Sequence, residues 1–160
     1  MNRLIGLLML TLMLTLRADA AEDKTKELAT ELQEAVRLRD FVRFTHCFAN
    51  KTELLTFVRR HRNANATMAQ LNGKFTGRPK RIMDSYNAII EAMADKRVEA
   101  VSLKATAVRP HGHNREEQMI NMLAVTLTDN AGKKVVVEGH DLILTTEGWR
   151  IAGDVSIETD

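Results

Sequence analysis

The apolar side chains of this 160-residue chain change their spacing once, near residue 97. Before that point they recur every three to four residues, as on one face of a helix, and after it they alternate with polar residues. A run of helices followed by a run of strands is typical of an α+β domain. We therefore predict a helical half over about 22–95 and a strand half over about 97–158.

Three amphipathic helices are predicted in the first half. The first runs from residue 22 to about 48, and Asn50 and Glu53 then form a capping-box pattern that starts the second. A break is expected in the second helix near 63–65. Pro79 suits the first turn of the third helix, because its missing N–H would be unpaired there. The buried stripe of that helix is Ile82, Tyr86, Ile90 and Met93.

Four strands are predicted in the second half, over residues 101–107, 119–128, 135–145 and 149–157. Short turns separate the last three, so these strands must be antiparallel neighbours. We expect the helices to pack on one face of a curved four-stranded antiparallel sheet. A longer polar connection over 111–118 should join the first two strands.

Residues 1–20 have the layout of a cleavable secretory signal peptide. Arg3 precedes an apolar run of 13 residues, Leu4 to Leu16, and small residues follow at Ala18 and Ala20. That run is too short for a membrane-spanning helix, which needs about 20 apolar residues. We expect cleavage after Ala20 and a single domain over 21–160. That domain would be secreted or periplasmic, with no membrane anchor after cleavage.

Charge and cysteine content narrow the possible partners. The whole chain has a formal net charge of +2, and removal of residues 1–20 leaves +1. This balance argues against nucleic acid as a partner, because such binding relies on clustered cations. The single cysteine, Cys47, cannot form an internal disulfide, and we interpret it as a buried small hydrophobe; pairing between chains or a reactive thiol are the alternatives. Asn50 and Asn65 begin glycosylation triplets that matter only in a glycosylating host.

Two segments resemble the nuclear transport factor 2-like (ketosteroid isomerase-like) superfamily. Residues 146–153, TEGWRIAG, are similar to the closing hairpin of that superfamily, and residues 35–44, AVRLRDFVRF, are similar to its first helix. The resemblance implies a cystatin-like roll, in which helices wrap a curved sheet around a cone-shaped cavity. It implies no particular activity, because the superfamily includes isomerases, dehydratases, transport factors and binding modules.

A histidine pair, His111-Gly112-His113, is the clearest local pattern for metal binding. Two imidazoles separated by a flexible glycine can chelate a metal, but a site needs a further ligand. The sequence offers only remote ones, namely Glu116, Glu117 and His140. We interpret the pair as solvated, and we expect no metal or other cofactor.

His140 and Asp141 interrupt the otherwise apolar third strand. Consecutive strand residues point to opposite faces, so the two cannot form a side-by-side dyad. With Val137 facing the core, Asp141 also points inward, and in an apolar cavity it could act as a general base. The opposite assignment turns His140 inward with Leu142. A bulge at Gly139 would leave both side chains in solvent.

Three further residues complete the candidates. Asp40 is expected to cap a helix or to pair with a neighbouring arginine. Tyr86 lies on a buried stripe, so its ring belongs to the core and its hydroxyl needs a partner. Trp149 is interpreted as a core anchor. Either ring could instead line a pocket, and Asp40 and Tyr86 join His140 and Asp141 as catalytic candidates.

Three functions fit these patterns. The first is an exported domain without catalytic activity that binds a small apolar ligand or another protein. The second is an enzyme that uses a cavity carboxylate as general acid or base. The third is a dimerisation module that associates through the sheet face, for which Met122 and either Leu142 or Leu144 should stay exposed in the monomer.

Overall fold

A computed structural model of the chain describes residues 24–114 and 116–158. The predicted signal peptide lies outside the described residues. Among those residues, no helix is long and apolar enough to cross a membrane. The helices come first along the chain: α1, described over residues 24–37, α2 (Phe41–His46), α3 (Lys51–His61), α4 (Met68–Phe75) and α5 (Arg78–Asp95).

An open antiparallel sheet follows a short 3₁₀ turn at Ala100–Ser102, so the predicted α+β class is confirmed. Its strands are β1 (Lys104–Asn114), β2 (Met119–Thr128), β3 (Lys134–Thr145), β4 (Gly148–Ile151) and β5 (Val155–Ile157). The sheet order is β1-β2-β3-β4, and β5 pairs with β3 on the same edge as β4. The predicted fourth strand is therefore divided in two. The predicted connection over 111–118 is shorter than expected, because β1 continues to Asn114.

Capping explains where the helices begin. The predicted first helix is divided at Arg39, whose φ is 53°, and the Asp40 side chain caps α2 by accepting a hydrogen bond from Arg43 N at 2.9 Å. The predicted capping box at Asn50 and Glu53 is confirmed, with both reciprocal hydrogen bonds formed.

The main core lies between the sheet and three helices, α1, α2 and α5. Trp149 of β4 is 1 % exposed and Phe44 of α2 is 0 % exposed, and both belong to this core. We call the sheet face that meets these helices the inner face and the opposite one the outer face.

Helix α3 packs on the outer face. Leu142 and Ile143 are consecutive in β3, so their side chains point to opposite faces. Leu142 joins the main core, whereas Ile143 packs with Phe57 of α3 in a separate cluster. The chain passes between the two faces at the sheet edge, where Phe48 forms a parallel bridge with Ile151 of β4.

In β1, β2 and β3 the inward and outward alternation of side chains shifts by one residue at one place, and the three places lie on one line across the sheet. On β3, Val137 faces the main core on one side of this line and Leu142 does so on the other. Regular alternation from Val137 would turn Asp141 inward instead of Leu142, so the strand has one extra residue between them. The same change occurs between Leu123 and Ile120 of β2. Because the strands change together, the inward side chains of β2 and β3 stay apolar on both sides of the line. We call this line the crease; its residues are Gly112, Asn121 and Asp141, with Gly153 beside Asp141.

Backbone conformation and close packing fix the crease. Gly112 and Asp141 have φ values of 66° and 51°, in the left-handed region. A Cβ atom on Gly112 would lie 2.9 Å from Asn121 Cγ, and one on Gly153 would lie 2.8 Å from the backbone oxygen of His140. Both positions therefore require glycine as the crease is built.

Gly153→Ala should lower the free energy of unfolding by about 1–3 kcal/mol, because backbone must move to admit the new methyl group. Gly73→Ala is the matched control: it lies in α4 with nothing within 4 Å of the added Cβ. This control should raise the free energy of unfolding by about 0.5–1 kcal/mol. Urea unfolding of residues 21–160 measures both, and equal effects at the two glycines would contradict the packing described for the crease.

Candidate functional site

A β-bulge lies at the predicted His140-Asp141 pair. Two residues of β3, His140 and Asp141, face the three residues 152–154 that separate β4 from β5. The bulge is closed by backbone hydrogen bonds: Ala152 N donates to Asp141 O at 2.9 Å, and His140 N donates to Asp154 O at 3.0 Å. Such bulges often re-aim side chains.

The bulge turns both candidate side chains away from the core. Asp141 is exposed, so it is not the inward carboxylate expected from a regular strand. His140 is half-buried and lies on the outer face with Glu138. Regular alternation from Val137 would turn the Asp141 side chain inward. It does not do so, because the alternation shifts by one residue at Asp141 and not at Gly139.

His140 is part of a hydrogen-bonded chain with two side chains that the sequence analysis did not select. Its Nε2 lies 2.9 Å from Ser156 Oγ, and that hydroxyl donates to Glu138 Oε2 at 3.3 Å. An ionised carboxylate only accepts, so the hydroxyl proton points toward Glu138 and Ser156 accepts from His140 Nε2–H. This polarity is the reverse of a histidine that activates a serine nucleophile.

His111 and His113 lie on opposite faces of β1. His111 is opposite Met122 on the outer face, whereas His113 is opposite Ile120, which faces the main core. Gly112, at positive φ between them, causes the switch. The His113 ring meets Trp149 edge-on, with centroids 5.8 Å apart. The two imidazoles therefore do not converge on one ion.

Within the described residues, thiolate, imidazole and carboxylate side chains form no group of three that could bind a metal ion. Within residues 24–114 and 116–158, no group of three or more His, Cys, Asp or Glu side chains is placed to hold a metal ion. A site made from these residue types alone is absent from that part of the protein.

Tyr86 and Trp149 both lie in the main core. The Tyr86 ring is 8 % exposed and packs against Phe41 and Phe44, at centroid distances of 5.4 and 5.1 Å. Its hydroxyl is buried without a hydrogen-bond partner among the described residues. Burial, with a smaller contribution from the charge of Asp40, raises the pKa of Tyr86.

Cys47 is a buried free thiol, in agreement with our first interpretation of it. It is 1 % exposed, and its Sγ donates to Arg43 O at 3.9 Å. Burial raises the pKa of Cys47 to about 12. The thiol is therefore neutral and inaccessible in the folded domain, which does not suit a nucleophile or an intermolecular disulfide.

Part of the outer face is covered by no helix of the described residues. Helix α3 packs on it at Ile143 and Met119, whereas the side chains beyond the crease are half-buried or exposed. We call this region the open face. Its members are Lys104, Ala107, Arg109 and His111 of β1; Met122, Ala124, Thr126 and Thr128 of β2; Lys134, Val136, Glu138 and His140 of β3; and Ser156 and Glu158 at β5.

Of the residues expected on an exposed sheet face, only Met122 lies there. Leu142 is 0 % exposed in the main core, and Leu144 is half-buried against that core. The crease explains the difference, because it turns the even-numbered residues of β3 inward after Asp141. Ser156 and Glu138 could have been found in the sequence only through the pairing of β3 with β5.

Comparison of the chain with protein-family models, with curated proteins and with solved structures gave no match. The resemblance to the nuclear transport factor 2-like superfamily therefore stays a prediction. Function has to be argued from the geometry of this chain alone.

Tyr86→Phe should leave the free energy of unfolding unchanged or raise it by about 1 kcal/mol, because it removes a buried hydroxyl that has no partner. Ile89→Val, at a fully buried position on the same helix, is the comparison and should cost about 0.5–1.5 kcal/mol. Urea unfolding of both variants measures the difference. A loss at Tyr86→Phe larger than that at Ile89→Val would show that the hydroxyl is bound.

Proposed function

We propose that this protein is an exported binding domain without catalytic activity, and that its open face binds a second copy of the chain. Export rests on the signal-peptide layout of residues 1–20. The observation that carries the binding proposal is one row of the open face, where Arg109, Ala124 and Glu138 lie side by side on β1, β2 and β3.

The interior favours surface binding over a ligand cavity. A cone-shaped cavity needs the space between helices and sheet, and large side chains occupy that space. Trp149 and Phe44 are almost completely buried there, together with Tyr86 and Ile89. The carboxylate of the alternative enzyme hypothesis, Asp141, is exposed at the bulge, so it does not favour a buried general base.

The charges of one row of the open face complement a second copy. Arg109 lies on the β1 side and Glu138 on the β3 side, with the uncharged Ala124 between them. A two-fold axis that lies in the interface above Ala124 and runs parallel to β2 would place Arg109 of each copy over Glu138 of the other. Interfaces between identical copies commonly have this symmetry, which makes one patch its own partner.

The central strand of the open face suits close contact. The side chains that β2 presents there carry no charge and are small or flexible: Met122, Ala124, Thr126 and Thr128. Interface centres are typically depleted in charged residues, whereas the rims are polar. The same axis would bring Lys104 of each copy near Lys134 of the other, but both lysines are exposed at the far end of the face, where solvent screens their repulsion.

A charge swap tests the proposal. Arg109→Glu should place two acidic side chains opposite each other at both ends of the row and weaken self-association by about tenfold or more. Glu138→Arg should weaken it similarly, by placing two arginines together. The double variant Arg109→Glu/Glu138→Arg restores opposite charges and should recover dimer formation. Sedimentation equilibrium of residues 21–160 measures each dissociation constant.

Arg60→Glu is the control, because it makes the same charge change at an exposed position of α3. It should leave self-association unchanged. A monomeric parent protein would contradict the proposal and favour a different partner or a small ligand. Failure of the double variant to recover would show that copies associate through another surface.

A further inference from the structure

Beside the crease, the open face carries a row of three side chains that are far apart in the sequence. His111 of β1 is opposite Met122 of β2, and Met122 is opposite His140 of β3. Directly opposed residues of antiparallel strands share a face, so two imidazoles flank one thioether. We propose that His111, Met122 and His140 form a binding site for copper(I).

The spacing of the strands suits a single ion above Met122. Opposed side chains on neighbouring strands have Cβ atoms about 4.5–5.5 Å apart, so each histidine lies within reach of the methionine sulfur. The two histidines lie about 10 Å apart across two strand spacings. Imidazoles that lean inward from both sides can therefore meet one ion bound by the sulfur between them.

Accessibility also fits a surface metal site. In a single copy His111 is exposed, and Met122 and His140 are half-buried, so an ion can arrive from solvent without any opening of the fold; association through the open face would cover the site. Backbone pairing on both sides of Met122 holds the three residues in register. The His111-Gly112-His113 pattern thus contributes one ligand, because His113 lies on the inner face.

The hydrogen bonds that link His140, Ser156 and Glu138 fix the tautomer of His140 that a metal ligand needs. Ser156 accepts from His140 Nε2–H because its own proton points to Glu138 Oε2, as derived above. The Nδ1 lone pair of His140 is then free to bind a metal. Ligating histidines commonly have this arrangement, in which the second ring nitrogen is bonded to a side chain that fixes the tautomer.

The ligand types favour copper. Thioethers are soft ligands that select copper(I), and imidazole also suits copper. Structural zinc sites instead use four ligands, commonly cysteine thiolates and histidines, and this row supplies neither the number nor a thiolate. The site comes from one chain, so it does not rest on the proposed association of two copies.

Competition titration with copper(I) tests the site. Residues 21–160 compete with the chelator bicinchoninate for copper(I) under anaerobic, reducing conditions. Binding by the protein is measured as the loss of absorbance of the copper(I)–bicinchoninate complex. We expect one ion per chain. His111→Ala, Met122→Leu and His140→Ala should each weaken binding at least tenfold, and Ser156→Ala should weaken it about tenfold through the orientation of His140.

Met122→Leu removes the sulfur with little change in volume, so it separates ligation from packing. Its copper X-ray absorption spectrum should lose the sulfur scatterer seen in the parent protein. His113→Ala is the matched control and should bind copper(I) as tightly as the parent, because it lies on the other face. Circular dichroism spectra that match the parent establish that each variant is folded.

Three results would overturn the proposal. They are no copper(I) binding by the parent protein, equal losses in His113→Ala and His111→Ala, or tighter binding of zinc than of copper(I). Titration at a protein concentration low enough for sedimentation to show only monomers separates this proposal from the previous one, because the site is then exposed whether or not two copies associate at higher concentration.

Discussion

The structure depends on one extra residue in β3, at Asp141, and on the matching residues Gly112 and Asn121 in the two neighbouring strands. Side chains of a strand alternate between faces, so one extra residue exchanges the faces for everything that follows it. If β3 lacked it, Leu142 and Leu144 would point to the outer face. Because all three strands carry it on one line, the inward side chains of β2 and β3 stay apolar and these two strands keep their pairing register.

The crease also separates two parts of the outer face. On one side, helix α3 packs on Ile143, and the chain reaches that face by pairing Phe48 with the sheet edge at Ile151. On the other side, none of the helices within 24–114 and 116–158 packs on the open face. Both proposals use residues of this part of the sheet, namely a charge row at Arg109 and Glu138 and a ligand row at His111 and Met122.

Much of the architecture could be predicted from local patterns. The capping box at Asn50 and the bounds of β2 follow from neighbouring residues alone, and both were predicted correctly. The crease could not be predicted, because it is a property of three strands paired in one register. Regular alternation from Val137 would have put Asp141 inside the fold, and a bulge would have left it in solvent; Asp141 is exposed. The polar sequence of residues 111–118 placed His111 and His113 together in a connection, whereas β1 continues to Asn114 and Gly112 separates them.

The separation of the two histidines is the most direct measure of the crease, and nuclear Overhauser spectroscopy of residues 21–160 can detect it. The ring protons of His113 should show contacts to the indole of Trp149, since the two rings meet edge-on. Those of His111 should show contacts to the Met122 methyl group. Contacts from both histidine rings to Trp149, or from both to Met122, would contradict the account, because they would require the pair to lie on one face of the sheet.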